Sequence, residues 1–307
     1  MPLISVIVPA FNAAGTIEAC VTSIGRQTLS DIEIVIVDDG STDGSGPAID
    51  RLAAVDVRIR PLHQPNRGRT EARAAGVIAA QAEWITFVDA DDTLPPDALR
   101  RLYSRTAPEV DIILGAARLL PGETRDQIPM EDFRHLAVRG EGTIGLPWGS
   151  LYRRTALPRD AFELPREISV GEDYIFWLRL VFSTARPVNT VQETVYCKGR
   201  DHSNIRWTAD YAARVDHYRV DAIPREQRPH YMADITADRL TNLFTLAIHQ
   251  PRSHWQYSPF YRQTMADIHQ YNIALPLKKR IFLRLPARWL RRAYSLLGNL
   301  IFYLKNN

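Results

Sequence analysis

Three carboxylates in four positions, Asp89, Asp91 and Asp92, close a run of β-favouring residues, Trp84-Ile85-Thr86-Phe87-Val88. An apolar run of this length ending in acid reads as a buried strand of a parallel sheet, and open α/β sheets bind ligands at the carboxyl ends of their strands. Asp89 and Asp91 are two apart, so in extended backbone they share one side. Carboxylates crowded in this way repel unless a cation or hydrogen bonds compensate them. Magnesium and manganese are usually held by one or two such hard oxygen ligands, with phosphate oxygens completing the shell. Asp92 is expected instead to cap the helix that Pro95-Pro96-Asp97 opens.

A second acidic pair, Asp38-Asp39, ends the apolar run 32–37. A carboxylate there can accept a hydrogen bond from a base N–H or a ribose hydroxyl, or can merely start an Asp-Gly turn. A third pair, Glu172-Asp173, opens a helical stretch with Ile175, Leu178, Val181 and Phe182 on one face. It can supply a general base, or only complement a helix N-terminus. Trp148 could stack on a sugar face or fill core, and Trp177 is read as core. His202, in Asp201-His202-Ser203-Asn204 after the expected strand 194–198, reads on its own as a surface histidine.

The elements that must position these groups follow from periodicity. Runs 3–9, 32–37, 57–62, 84–88 and 111–116 read as strands, with helices over 14–27, 41–52 and 70–82 between the first four. Strand and helix alternating at this spacing predict a doubly wound sheet with right-handed crossovers. The first strand runs into Pro9-Ala10-Phe11-Asn12-Ala13-Ala14-Gly15, which is no G-x-G-x-x-G turn, and no P-loop is present. A nucleotide, if one binds, must therefore be held by side chains and a metal. Residues 121–145, rich in Gly, Pro and charge, read as a loop excursion, and 194–198 as a strand. After about residue 206 strand signals stop, and helices are expected over 208–222, 231–249 and 258–271.

The bulk properties narrow the classes. With 307 residues, 45% hydrophobic and 24% charged, the chain can bury a full core. Cys20 and Cys197 make neither a disulfide framework nor a zinc pattern, which fits a reducing compartment. The N-terminus has no basic n-region, so no signal peptide is expected, and no apolar run reaches the ~20 residues that span a bilayer. Net charge is +3, yet residues 277–307 carry eight basic side chains and no acidic one, leaving the rest acidic. That distribution argues against a nucleic-acid binder. The tail 277–305, broken at Pro286, can lie in a membrane interface with Trp289, Tyr294 and Tyr303 at headgroup depth, or pack as a C-terminal helix.

In order and spacing, Pro9-x-Phe11-Asn12, Asp38-Asp39-Gly40-Ser41, Asn66-x-Gly68 with Ala72-Arg73, Asp89-Ala90-Asp91-Asp92 and Gly171-Glu172-Asp173 resemble the family 2 inverting glycosyltransferases over residues 3–205. The resemblance implies the α/β GT-A fold, a Rossmann-like, mostly parallel central sheet with helices on both faces, in residues 1–205. A helical extension, 206–276, would shape the acceptor side, and the basic tail 277–307 would follow. It further implies a nucleotide-diphosphate sugar donor, UDP-linked, with Mn2+ or Mg2+ as cofactor. Pro9 and Asp39 would lie against the base and Arg73 would reach toward the nucleotide. Phe11, Asn12, Asp38, Asn66, Gly68 and Ala90 would complete the donor site. Asp89 would meet the ribose or the metal shell, Asp91 would ligate the metal, and His202 would be a secondary ligand. Trp148 would face the acceptor sugar. Asp173 would be the general base, with Glu172 as the alternative. One departure is visible: the family often has Ala-Arg-Asn-x-Gly, where this chain has Ala72-Arg73-Ala74-Ala75-Gly76.

The chemistry needs these parts. Displacing a nucleoside diphosphate builds charge on the leaving oxygens, which a divalent cation neutralises, and the attacking hydroxyl must lose a proton to a base. The implied reaction is a hexosyl or N-acetylhexosaminyl transfer, by single displacement, to a glycan or lipid-linked glycan. It would occur in the cytoplasm, with the tail allowing peripheral association at the cytoplasmic face of the inner membrane. A sugar-phosphate nucleotidyltransferase is the enzymatic alternative, but its N-terminal glycine-rich, Arg- and Lys-containing triphosphate loop is absent. A non-catalytic nucleotide-sugar scaffold predicts eroded acidic sites, and none is eroded.

Overall fold

β1 (Ile4–Ala10) and β2 (Ile32–Asp38) are buried along their whole length, Ile and Val filling both faces as interior parallel strands require. They pair with each other, with β3 (Ile59–His63) and with β4 (Trp84–Phe87), all parallel, in the order β3-β2-β1-β4. α1 (Ile17–Gly25), α2 (Ser45–Val55) and α3 (Arg69–Ala79) make the crossovers. Structure is described here for residues 1–115, 125–140, 146–199, 207–274 and 277–285 of a computed structural model. Its chain divides into two compact units, Met1–Ser203 and Asn204–Asn307.

The first unit completes an eight-stranded sheet, β3-β2-β1-β4-β7-β5-β8-β6. After α4 (Ala98–Tyr103) come β5 (Ile112–Gly115), β6 (Gln127–Ile128), α5 (Met130–Arg139), β7 (Ser150–Arg153), α6 (Glu172–Ser183) and β8 (Val188–Val191). β7 enters between β4 and β5, antiparallel to both, and joins the two halves of the sheet. Ile, Val and Leu side chains of β1, β2, α1 and α4 share one core cluster, centred where the first crossovers cover the sheet.

Several expectations need correction. Residues 127–139 are ordered as β6 and α5, not a loop excursion. Met130, Phe133, Ala137 and Val138 recur at helical spacing and are buried, but five charged or His neighbours diluted that signal. The strand expected at 194–198 is a single bridge, Thr93 to Cys197, and the strand of this stretch is β8, upstream of it, paired between β5 and β6. β7, four residues long and directly after Gly149, carries too short a pattern to announce itself as a strand. Asp92 caps no helix, since α4 begins six positions later and Asp97 precedes it.

The second unit is helical: α7 (Ala209–Asp221), α8 (Arg228–His249), α9 (Pro259–Gln270) and α10 (Leu277–Arg284). Leu240, Leu243, Leu246, Trp255 and Phe260 form its core with Phe282 and Leu283 of α10. The Phe282 ring packs edge-on against Phe244, centroids 5.3 Å apart. The start of the basic tail is therefore core at these two positions, and residues 286–307 lie outside the described residues. Among the described residues no helix is long and apolar enough to cross a membrane.

Candidate active site

β4 delivers three carboxylates into three environments. Beyond Phe87 the chain keeps strand-like pairing for one more residue, Val88 N–H donating to Ile7 O at 3.0 Å, and then turns, with Asp92 N–H returning to Asp89 O at 3.0 Å. Asp91 stands exposed on this turn and makes no ion pair with a described residue. The Asp89 side chain is about one quarter exposed, and Ala90 is buried between the two. Asp92 points inward at 3% exposure. Its Oδ1 accepts from Gly199 N–H at 2.5 Å and its Oδ2 from the Tyr196 hydroxyl. The Tyr196 oxygen in turn accepts from Asp89 N–H at 3.1 Å. Burial raises the pKa of Asp92 against these two bonds, and Asp89 and Asp91 add to the rise. Leaving such a group unpaired costs about 1–3 kcal/mol or more, so Asp92 and Tyr196 fix the turn. Nothing in the sequence signalled Tyr196, whose partners lie over a hundred positions away.

Gly199 belongs to the same closure. A Cβ there would stand 2.3 Å from Asp91 O, so only glycine lets the 195–199 segment lie directly on the acidic turn. Trp148, half-buried, stacks on Tyr196 with centroids 4.4 Å apart and planes 18° from parallel, which commits one indole face to protein. Cys20 lies below, its Sγ–H 3.5 Å from Asp89 O, and burial beside Asp92, Asp89 and Asp91 pushes its thiol pKa far up. It stays a protonated, inert core group.

The ends of β1 and β2 form the neighbouring part. Pro9 is buried, while Phe11 is 51% exposed and Asn12 adopts φ 50°. Asn12 N–H donates to Ser41 Oγ at 3.0 Å and its Oδ1 accepts from Thr42 N–H at 2.9 Å, which holds the two loops together. Asp39, 3% exposed, accepts from Gln64 Nε2 at 2.7 Å, Arg67 N–H at 2.9 Å and Gly68 N–H at 2.8 Å. It thereby organises the Asn66–Gly68 turn, and the Asn66 side chain is engaged by Arg166. Asp38 accepts from Ser41 N–H at 3.1 Å and faces His63 Nδ1 at 3.1 Å. Burial opposes its ionisation, but the bonds to Ser41 and His63 outweigh it and lower its pKa. His63 is raised in return, by its hydrogen bonds with Asp38 and with Asp50.

The third acidic pair meets this region through arginines. Arg69 and Arg73, one turn apart on α3, face Glu172 and Asp173 in the first turn of α6. Arg69 lies 3.3 Å from Glu172 Oε1. Arg73, buried at 2% exposure, donates from Nη1 to Asp173 Oδ1 and from Nη2 to Asp89 Oδ1 at 3.2 Å. The structure thus turns Arg73 into the protein. Burial and the adjacent Asp173 push Glu172 up to about 7, against the pull of Arg73 and Arg69. Its side chain is 6% exposed, whereas Asp173 is at 19%. Trp177 is fully buried and donates from Nε1 to Leu146 O at 2.5 Å, a core residue.

The donor set suits a hard divalent cation. Asp91 and Asp89 offer carboxylate oxygens at the turn, and among the described residues the turn makes no three-ligand protein cage. Magnesium and manganese sites that borrow substrate phosphate oxygens are built this way. His202 lies outside the described residues.

The chain has relatives among known proteins. The family described as Glycosyl transferase family 2 matches residues 5–169. A Bacillus subtilis (strain 168) protein described as putative glycosyltransferase EpsH is 32% identical over 207 residues, 64% of this chain, and the match spans only 60% of that relative's length. Two solved structures share the fold: Staphylococcus aureus TarS 1-349 in complex with UDP-GlcNAc (TM-score 0.59, 18% identity, 88% of this chain and 89% of that one), and mannosyltransferase PcManGT of Pyrobaculum calidifontis in complex with GDP-Man and Mn2+ (TM-score 0.58, 19% identity, 99% and 85%).

Proposed function

The chain belongs to glycosyl transferase family 2, and on that premise we propose that it is an inverting glycosyltransferase, its chemistry carried by the unit Met1–Ser203. The donor is a nucleotide-diphosphate sugar, UDP-linked, and the acceptor a hydroxyl of a glycan or lipid-linked glycan. One observation carries this reading: the acid at the end of β4 and the acid opening α6 meet at a single buried guanidinium, Arg73. A single displacement needs the acceptor's base within reach of the donor's anomeric carbon, and here the donor-side carboxylate and the proposed base share one anchor.

Asp91 and Asp89 hold the cation, Mn2+ or Mg2+, and His202 is a further candidate ligand. A divalent cation supplies neutralisation of the charge that builds on the leaving diphosphate. Pro9, Phe11, Asn12, Asp38 and Asp39 receive the base and ribose, with Asn66 and Gly68 at the turn that Asp39 organises. Asp173 takes the proton of the attacking acceptor hydroxyl, which approaches the anomeric carbon opposite the leaving oxygen. Trp148 offers its uncommitted edge to the acceptor sugar. The transferred group is a hexose or N-acetylhexosamine, and the TarS and PcManGT complexes with UDP-GlcNAc and GDP-Man support a nucleotide sugar as donor.

A panel of nucleotide sugars tested for Mn2+-dependent thermal stabilisation identifies the donor. A ligand at a hundredfold its Kd adds about 2.7 kcal/mol. Stabilisation by one nucleotide sugar that vanishes in EDTA is the expected result, and no response to any member overturns the reading.

We place the work in the cytoplasm, at the inner-membrane surface, with residues 286–305 supplying the contact. Arg288, Arg291, Arg292 and Lys305 carry that segment's charge, and each adds ~1 kcal/mol near an anionic leaflet. Because Phe282 and Leu283 are core, the informative truncation ends at residue 285. Full-length protein should co-sediment with vesicles containing phosphatidylserine at low salt, and the 1–285 chain should not. Full-length protein remaining in the supernatant removes the membrane role.

A further inference from the structure

We propose that Arg73 is a positioning residue that holds the carboxylate of Asp173 and ties it to Asp89, so that the acceptor-side base is placed from the donor side. The proposal rests on Asp173 being the base. The family resemblance implies a different role, a contact to the nucleotide. Nη1 of Arg73 is committed to Asp173 and Nη2 to Asp89, while Nε is buried with no partner among the described residues. The guanidinium carbon lies 6.0 Å from the Phe87 ring centroid, against the last residue of β4.

Three features make this a device for placement. First, α3 is pressed onto the sheet at Gly76, where a Cβ would come within 2.3 Å of Ile7 Cγ2. That close approach sets the depth from which Arg73, one turn earlier, reaches both acids. Second, Asp89 and Asp173 sit on different elements, β4's end and α6's first turn, 84 positions apart in the chain. Only a planar, permanently charged fork can hold two carboxylates at once in fixed directions, which an ammonium does not reproduce. Third, Arg73 engages Oδ1 of Asp173 and no described residue bonds Oδ2. One oxygen is anchored and the other is left to accept the acceptor's proton.

Arg73→Gln removes the fork and keeps hydrogen-bonding capacity. The test measures kcat and donor KM of the full-length enzyme at saturating acceptor and Mn2+, with binding of UDP plus Mn2+ read separately by thermal shift. Arg73→Gln should lower kcat roughly 10- to 100-fold, the scale of a misplaced reacting group. Donor KM and the UDP response should change by less than about threefold. In the Asp173→Asn background the same substitution should cost less than about twofold, because the group it positions is already disabled. Arg73→Lys should recover part of kcat, and it replaces Arg73→Gln in the cycle if the latter fails to fold. An equal kcat loss with and without the Asp173 carboxylate overturns the proposal, as does a raised donor KM at unchanged kcat, which marks a nucleotide contact. Full transfer by Asp173→Asn alone overturns the base assignment instead, and the positioning role falls with it.

Discussion

Asp173→Asn should lower transfer at saturating donor and acceptor by roughly 10²–10⁴, the range for a lost general base, while Mn2+-dependent UDP binding stays at the wild-type level. The substitution is nearly isosteric and keeps a hydrogen-bond acceptor for Arg73, so the fold has no reason to change. Glu172→Gln is the decisive comparison. Glu172 has the pKa nearer to a neutral working pH, pushed up to about 7 by burial and by Asp173. Its side chain is 6% exposed and turned to Arg69, whereas Asp173 is the more open of the two. A base must reach the acceptor before its pKa matters. The pH profile separates the two assignments with a defined sign. A base works deprotonated, so if Glu172 were the acceptor of the proton, kcat would fall on the acid side of about pH 7, and Asp173→Asn would remain active and keep that acid limb. Loss of transfer in Glu172→Gln with Asp173→Asn still active reverses the assignment.

Asp91→Ala should abolish metal-dependent donor binding and cut turnover by roughly 10²-fold or more, with the apo protein melting as the wild type does. The expected silence in stability follows from its setting, an exposed side chain on a turn that makes no ion pair with a described residue. Asp92→Ala, one residue on, should behave in the opposite way. It strips two hydrogen bonds from a buried position, leaving Tyr196 and Gly199 N–H without their acceptor, and should destabilise the fold before any effect on binding is read. Full turnover by Asp91→Ala, or by the wild type in EDTA, removes the metal from the mechanism.

How much of this was legible in the sequence depends on how far apart the interacting groups lie. β1, β2, β4 and the helices between them each carry their own periodicity, and their order dictates a parallel half-sheet with its acids at one end. Those features are local. β7 is four residues whose identity as a strand is settled by the open edges of β4 and β5 on either side. α5 was obscured by its own charged face. The acids themselves were visible as acids, but their division of labour was not. The helix-capping role expected of Asp92 followed from its immediate neighbours alone, and only Tyr196, Gly199 and Arg73, brought in from elsewhere, make Asp92 buried, Asp89 clasped and Asp91 exposed. The two arginines of α3 showed the same limit. Their spacing placed them on one helical face, while nothing local said that the face meets Glu172 and Asp173.

The insertion of β7 between β4 and β5 also bears on how the chain is made. The strands β3-β2-β1-β4 are complete once residue 87 has left the ribosome, but the outer edge of β4 waits for a strand that starts at residue 150. At synthesis rates of about 5–20 residues per second, roughly 60 further residues take roughly 3–12 s. During that interval Trp84-Ile85-Thr86-Phe87 is an open, apolar strand edge, the kind of surface that pairs with other chains. Nascent protein is therefore most open to misassembly in the seconds before β7 docks, and chaperone capture during translation would act on this edge.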